Sequence, residues 1–102
     1  MSNNDKVLNQ KYFMQLSDGS TWAVPVSTIA MHHAMSHALE DELMDYMYTK
    51  TLPLFIDPTN LMRWAKESMS WEDVQADAVL IRAAPSKINF NQEWLDCKVI
   101  VK

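Results

Sequence analysis

Cysteine and glycine are nearly absent from this chain. Among its 102 residues there is one cysteine, Cys97, and one glycine, Gly19. A single cysteine excludes an intramolecular disulfide and a zinc site built from several thiolates. The lack of disulfides is usual for cytosolic proteins. A single glycine excludes the glycine-rich loops that hold phosphates or dinucleotides and the G-x-S-x-G turn of hydrolases. We therefore expect a protein that is not an enzyme and carries no cofactor.

Long apolar runs are also missing. A membrane-spanning helix needs about 20 consecutive apolar residues, and charges or prolines interrupt every apolar run here within a few residues. Residues 1–6 lack the basic cluster and the apolar stretch of a signal peptide. The sequence thus predicts a cytoplasmic protein that makes no membrane contact.

Positive charge is unevenly distributed. No lysine or arginine occurs between Lys11 and Lys50, a window that holds five acids and all three histidines, whereas from Lys50 onward seven acids balance seven bases. The net charge is −4. Because non-specific nucleic-acid binding depends on cationic contacts to phosphates, we expect no nucleic-acid partner.

The length and the apolar content predict one compact domain. A chain of 102 residues suits a single core, and 48% apolar residues with four tryptophans argue against disorder. We assign residues 1–102 to this domain. Residues 1–8 are polar, with few apolar anchors, and are expected to be frayed.

The first half of the chain predicts a hairpin followed by a long helix. Asp18-Gly19 lies between two strand-like runs, residues 11–16 and 21–26, which is typical of a type I′ hairpin turn. Residues 28–48 contain no proline or glycine and have apolar residues three and four positions apart, which predicts an amphipathic helix. Its core side would carry Met31, Met35, Ala38, Leu39, Leu43, Tyr46 and Met47.

The second half predicts short helices and further strands. Asp57-Pro58 is typical of a helix start, and Ser70 with Asp73 forms an imperfect capping box. Residues 52–56 are interpreted as a connector, and residues 78–83, 88–90 and 97–101 as strands. Trp22 and Trp64 are expected to be buried, and Trp71 and Trp94 partly exposed. The order predicts an α+β fold in which a small antiparallel or mixed sheet, formed by the N-terminal hairpin and C-terminal strands, packs on one long and one or two short helices.

The histidines supply the first candidate site. His33 and His37 are four residues apart on the predicted helix and share a face, and Glu40 follows close to it. Two imidazoles at this spacing with a carboxylate can bind Zn²⁺, Ni²⁺ or Cu²⁺. The HExxH pattern of metalloproteases is absent. The alternative is a pair of surface histidines, opposite the apolar stripe, that give the surface some pH sensitivity.

The same outward face supplies a second candidate. Besides His33 and His37 it carries Glu40, Asp41 and Met44, and methionine suits adaptable contact surfaces. These five residues form a candidate partner-binding surface for another protein. The alternative is an ordinary solvated helix face. Mimicry of DNA phosphates would need more extended negative charge than this window has.

Two stretches resemble uncharacterised small accessory proteins of tailed bacteriophages. They are residues 17–26, with the sequence SDGSTWAVPV, and residues 69–74, with the sequence MSWEDV. The resemblance implies an accessory protein that acts in the host cytoplasm, where such proteins bind and inhibit host factors. It carries no functional residues over to this chain.

Three functional hypotheses follow from these patterns. The leading one is a non-enzymatic protein-binding or regulatory module that binds and modulates a host protein. The second is a metal-binding protein that uses His33, His37 and Glu40. The third is a structural homo-oligomer, such as a homodimer, since a small sheet offers edge strands for pairing.

Overall fold

The computed structural model describes residues 3–83 and 88–102, and these form an α+β fold with a four-stranded sheet. The strands are β1 (Lys11–Gln15), β2 (Thr21–Pro25), β3 (Val79–Arg82) and β4 (Lys98–Val101). Their order is β3-β2-β1-β4, and every neighbouring pair is antiparallel. The predicted fold class is confirmed, and of the two kinds of sheet predicted, the antiparallel one is found.

Short helices make up the second layer. They are α1 (Asn3–Leu8), α2 (Val26–His37), α3 (Leu43–Tyr46), α4 (Leu52–Phe55), α5 (Pro58–Ser68), α6 (Trp71–Val74) and α7 (Phe90–Asp96). A 3₁₀ turn, Glu40–Glu42, precedes α3, and a π-helical segment, Met47–Thr51, joins α3 to α4. The predicted starts of α5 and α6 are confirmed: Asp57 accepts a hydrogen bond from the Thr59 amide at 2.9 Å, and the Ser70–Asp73 capping box forms.

The β1–β2 hairpin is present, but its turn differs from the prediction. A type I′ turn needs two residues with positive φ, and within residues 3–83 and 88–102 only Gly19 has one, at 90°. The Gly19 amide donates to the Leu16 carbonyl at 3.0 Å, and the Leu16 amide donates to the Ser20 carbonyl at 2.9 Å. This is a three-residue loop in which a turn is followed by a left-handed glycine.

The prediction of one helix over residues 28–48 is wrong. Helix α2 ends at His37, and Ala38 and Leu39 are extended, with ψ of 155° and 153°. This break reverses the chain, so that Met47 and Thr51 return to the core beside α2, where both are buried. A straight helix would carry them away from the sheet, which explains why tertiary packing overrides helix propensity here.

Three shorter segments also differ from expectation. Residues 3–8, expected to be frayed, form α1, with Val7 buried and the Asn4 amide group donating to the Tyr48 carbonyl at 3.0 Å. Residues 52–55 form α4 rather than a connector, because Pro53 lies in its first turn, where a missing N–H costs little. Residues 88–90 form no strand, since the Asn89 side chain accepts from the Gln92 amide at 3.2 Å and caps α7.

Trp94 joins the helices to the inner face of the sheet. It is 1% exposed, its Nε1 donates to the Ala65 and Met69 carbonyls at 2.9 and 3.1 Å, and its ring lies 5.3 Å from that of Tyr12. Trp71 is also buried, so the expectation that these two tryptophans are partly exposed is wrong. Trp22, expected to be buried, is half-buried.

Two polar groups tie α7 to the rest of the molecule. Glu93 is buried, and its Oε1 accepts hydrogen bonds from the Ser17 amide, at 2.6 Å, and from the Ser17 hydroxyl. Lys66 donates to the carbonyls of Trp94, Leu95 and Cys97 at 3.0–3.2 Å. A cation at the carboxyl end of a helix is favourable, because the last carbonyls have no partner within the helix.

Candidate functional site

His33 lies inside the molecule rather than on its surface. Its side chain is 6% exposed, and Nδ1 lies 2.8 Å from the Thr51 hydroxyl. The other buried residues of α2 are Val26, Ile29, Ala30 and Ala34, which follow the same helical face. The prediction that His33 belongs to a solvent-exposed face is therefore wrong.

Aromatic rings surround this histidine on several sides. Their centroids lie 4.4 Å (His37), 4.7 Å (Trp64), 5.2 Å (Phe55) and 6.2 Å (Tyr46) from the His33 ring centroid. The His37 ring also stacks on Tyr46, nearly parallel at 5.9 Å, and its Nδ1 lies 2.9 Å from the His33 carbonyl. We call these five residues the histidine cluster. It joins α2 to α3, α4 and α5.

The histidine cluster favours neutral imidazole at its centre. Burial is the main cause that lowers the pKa of His33, and the neighbouring His37 and His32 lower it further. An apolar, ring-lined environment disfavours the charged form of an imidazole. Protonation of His33 thus opposes the packing of α2 against α5.

The predicted metal site does not assemble. Within residues 3–83 and 88–102, no group of three or more His, Cys, Asp or Glu side chains is placed to hold a metal ion. His33 and His37 stack ring against ring, and Glu40 lies beyond the helix end, in the 3₁₀ turn. The structure therefore does not bring His33, His37 and Glu40 together as one metal-binding group, since Glu40 follows the break at residues 38–39.

The predicted apolar stripe of α2 faces solvent instead of the core. Met35 is 65% exposed, Leu39 is exposed as well, and Met31 is only half-buried. The helix is thus rotated from the predicted orientation, with His33 and Ala34 inward and the methionines outward. An exposed methionine stripe is typical of a contact surface, because the thioether side chain is flexible and adapts to different partners.

These methionines line a groove between α2 and the α6 region. The groove has a volume of about 410 Å³ and is lined by Ser27, Thr28, Met31, His32, Met35, Asp73 and Asp77. We call it the methionine groove. Thr28 donates to the Asp77 carboxylate at 3.1 Å, and Trp64 Nε1 donates to His32 Nδ1 at 3.2 Å, so both sides of the groove are held in position.

Glu40, Asp41 and Met44 are exposed, as Glu42 and Asp45 are. They lie on the 3₁₀ turn and α3 rather than on one long helix with His33 and His37. The structure therefore separates the predicted partner-binding surface: His33 is buried, His37 is exposed beside it, and Glu40, Asp41 and Met44 form a separate exposed part. No pattern in the sequence signalled Asp73 and Asp77 as neighbours of Met31, since they come together only through the packing of α6 beside α2.

Two further features, a second groove and Cys97, were considered as functional sites. A second groove of about 310 Å³, lined in part by His33, Trp64, Arg63 and Glu67, opens beside the histidine cluster. Cys97 is buried, and burial raises the pKa of its thiol, which disfavours the reactive thiolate.

Comparisons with protein families, with curated proteins and with solved structures find no match to this chain. In the part of the chain that the structure describes, every helix is too short or too polar to cross a bilayer.

Proposed function

We propose that this chain is a non-enzymatic protein-binding module and that the methionine groove is its contact surface. The observation that carries the proposal is the exposed side chain of Met35, beside the half-buried Met31, in a groove bordered by the carboxylates of Asp73 and Asp77. Exposed apolar side chains that line a concave surface mark interaction sites in soluble proteins.

The groove has the chemistry to receive an amphipathic helix with basic residues. The apolar side of such a helix would lie on the methionines, and its lysines or arginines would meet the two carboxylates at the border. Residues 12–49 supply no base that would compete for these acids. Sequence resemblance alone supports the further proposal that the partner is a host protein bound in the host cytoplasm by a phage accessory protein.

Titration of the protein, labelled with ¹³C at its methionine methyls, tests the groove directly. Two model helices of equal length and leucine content serve as probes, one rich in lysine and one rich in glutamate. We expect the lysine helix to shift the methyl signals of Met31 and Met35, while Met14, in the core, stays unchanged. Equal shifts with both helices, or no shift at Met31 and Met35, would contradict the proposal.

Met35→Lys locates the contact, and Leu95→Lys is its matched control. Leu95 lies on α7 and is 53% exposed, close to the 65% of Met35. Burial of a methionine side chain is worth about 1.5–3 kcal/mol, so Met35→Lys should weaken binding of the lysine helix at least about tenfold. Leu95→Lys should leave the affinity unchanged. The same pair of variants applies to partners captured from cells and identified by mass spectrometry.

A further inference from the structure

The outer face of the sheet differs in charge from the rest of the molecule. In the β1–β4 register, Gln15 lies opposite Lys98 and Phe13 opposite Ile100. These residues alternate along β1 and β4 with buried or half-buried residues of the inner face. Opposite residues of an antiparallel pair point to the same side, so they define the outer face.

The bases of β1 and β4 belong to this face. Lys11 and Lys98 follow from the alternation along these strands, and Arg82 lies opposite Thr21 at the edge of the sheet, next to an irregularity in the β2–β3 register. Lys102 directly follows β4, and its Nζ lies 5.5 Å from the centre of the Phe13 ring. The four described strands contain no Asp or Glu. Within the described strands, the outer face therefore carries lysines and no acidic side chain.

Apolar side chains accompany this charge. Val79 lies opposite Ala23, which lies opposite Phe13, and Val79 and Ile100 are both exposed. An apolar surface with basic residues requires an occupant that is apolar and acidic. Two copies cannot join symmetrically through this face, because its bases would then oppose each other. Nucleic-acid-binding sheets stack bases on several exposed rings, and Phe13 is the one ring of this face within the described strands.

The chain itself contains a surface of the required chemistry. Residues 39–45, which we call the acidic segment, have the sequence LEDELMD. The side chains of Leu39 and Met44 are exposed, and so are all four acids of the segment. We propose that the acidic segment of one copy binds the outer sheet face of a second copy.

Such a contact joins two different surfaces, so two copies can make it reciprocally and form a closed dimer, or it can leave one of each surface free and continue from copy to copy. Heterologous contacts of this kind close into rings or grow into filaments. Exposed ion pairs contribute only about 0–1 kcal/mol each, so the association is weak and depends on salt. This inference is independent of the methionine groove, since neither surface includes groove residues.

Sedimentation velocity over a wide concentration series tests the contact. At about 0.01 M salt the Debye length is about 30 Å, and at about 1 M it is about 3 Å. We expect the average mass to rise with concentration at low salt and this rise to disappear at high salt. A single monomeric species at every concentration and low salt would overturn the proposal.

Charge reversal identifies the two surfaces. Glu40→Lys with Asp41→Lys, and separately Lys98→Glu with Lys102→Glu, should each abolish association, because like charges then face each other. A mixture of the two double variants should associate again, since each reversed surface then finds a complementary one. Circular dichroism confirms that the folds persist, as all four side chains are exposed.

Three outcomes would overturn the proposal. The first is association that survives both reversals, and the second is a mixture that stays monomeric. The third is binding of a single-stranded oligonucleotide that is lost only with Lys98→Glu and Lys102→Glu, which would assign the face to nucleic acid.

Discussion

The sheet and the helix layer differ in how they accommodate polar and charged side chains. In β1 and β4 of the sheet, side chains alternate between two faces, so the inner face is apolar and the lysines lie on the outer one. In the helix layer, short segments meet at many angles, and polar groups such as His33, Thr51 and Glu93 are buried with specific partners. The sheet thus depends on periodicity, whereas the helix layer depends on individual hydrogen bonds and ring contacts.

The largest effect is expected where the two layers meet. Trp94→Ala removes the ring contact to Tyr12 and both hydrogen bonds to α5 and the residue that follows it, and should lower the free energy of unfolding by about 3–5 kcal/mol. Trp64→Ala changes only contacts among helices and affects a half-buried ring. Denaturant unfolding of both variants measures the difference.

An equal or larger loss for Trp64→Ala would contradict this ranking. It would show that the histidine cluster, rather than the junction with the sheet, dominates the stability of the helix layer.

A pH-dependent effect is expected from the helix layer alone. The pKa of His33 is lowered on folding, so the unfolded chain binds a proton more readily than the folded one. The free energy of unfolding should therefore decrease as the pH falls from about 7 through the unfolded pKa of about 6.5, and should level off below the folded pKa. Denaturant unfolding between about pH 5 and 8 measures this slope.

His33→Gln should flatten the slope, because glutamine does not titrate. His37→Gln removes a neighbouring charge and leaves the burial of His33, so most of the slope should persist. A slope unchanged by His33→Gln would place the titrating group elsewhere.

The smallest effect is expected within the sheet. Among residues 3–83 and 88–102, the Tyr12 hydroxyl is the one buried side-chain polar atom without a hydrogen-bond partner. A buried, unsatisfied hydroxyl is unfavourable, so Tyr12→Phe should raise the free energy of unfolding by about 1 kcal/mol. Thermal unfolding of the two proteins checks the sign. A lower melting temperature for Tyr12→Phe would mean that the hydroxyl has a partner in solution.

The elements that were predicted correctly have local signals. Gly19 between strand-like runs, Asp57 before Pro58, and Ser70 with Asp73 each act within a few residues of chain, and all three led to the observed elements. The break of α2 at Ala38 and Leu39 has no such signal. It results from the return of Thr51 to the core, a contact between residues 18 positions apart.

The candidate site was predicted less well for the same reason. Helical periodicity over residues 28–48 predicts His33 on the outside and Met35 on the inside, and the structure shows the reverse. Once α2 ends at His37, the position of α5 determines which face of α2 is buried. Trp64 of α5 packs against His33, so the histidine face is the buried one. The acids that border the methionine groove come from another part of the chain, which helix periodicity cannot reveal.

The placement of Lys98 on the outer face also affects which alignments of β4 against β1 are stable. A shift of β4 by one residue against β1 would turn Lys98 and Ile100 toward the core and Val99 toward water. Burial of an unpaired ammonium group is far too unfavourable for such a pairing to persist. Lys98 therefore disfavours this shifted alignment of β4 relative to the native one.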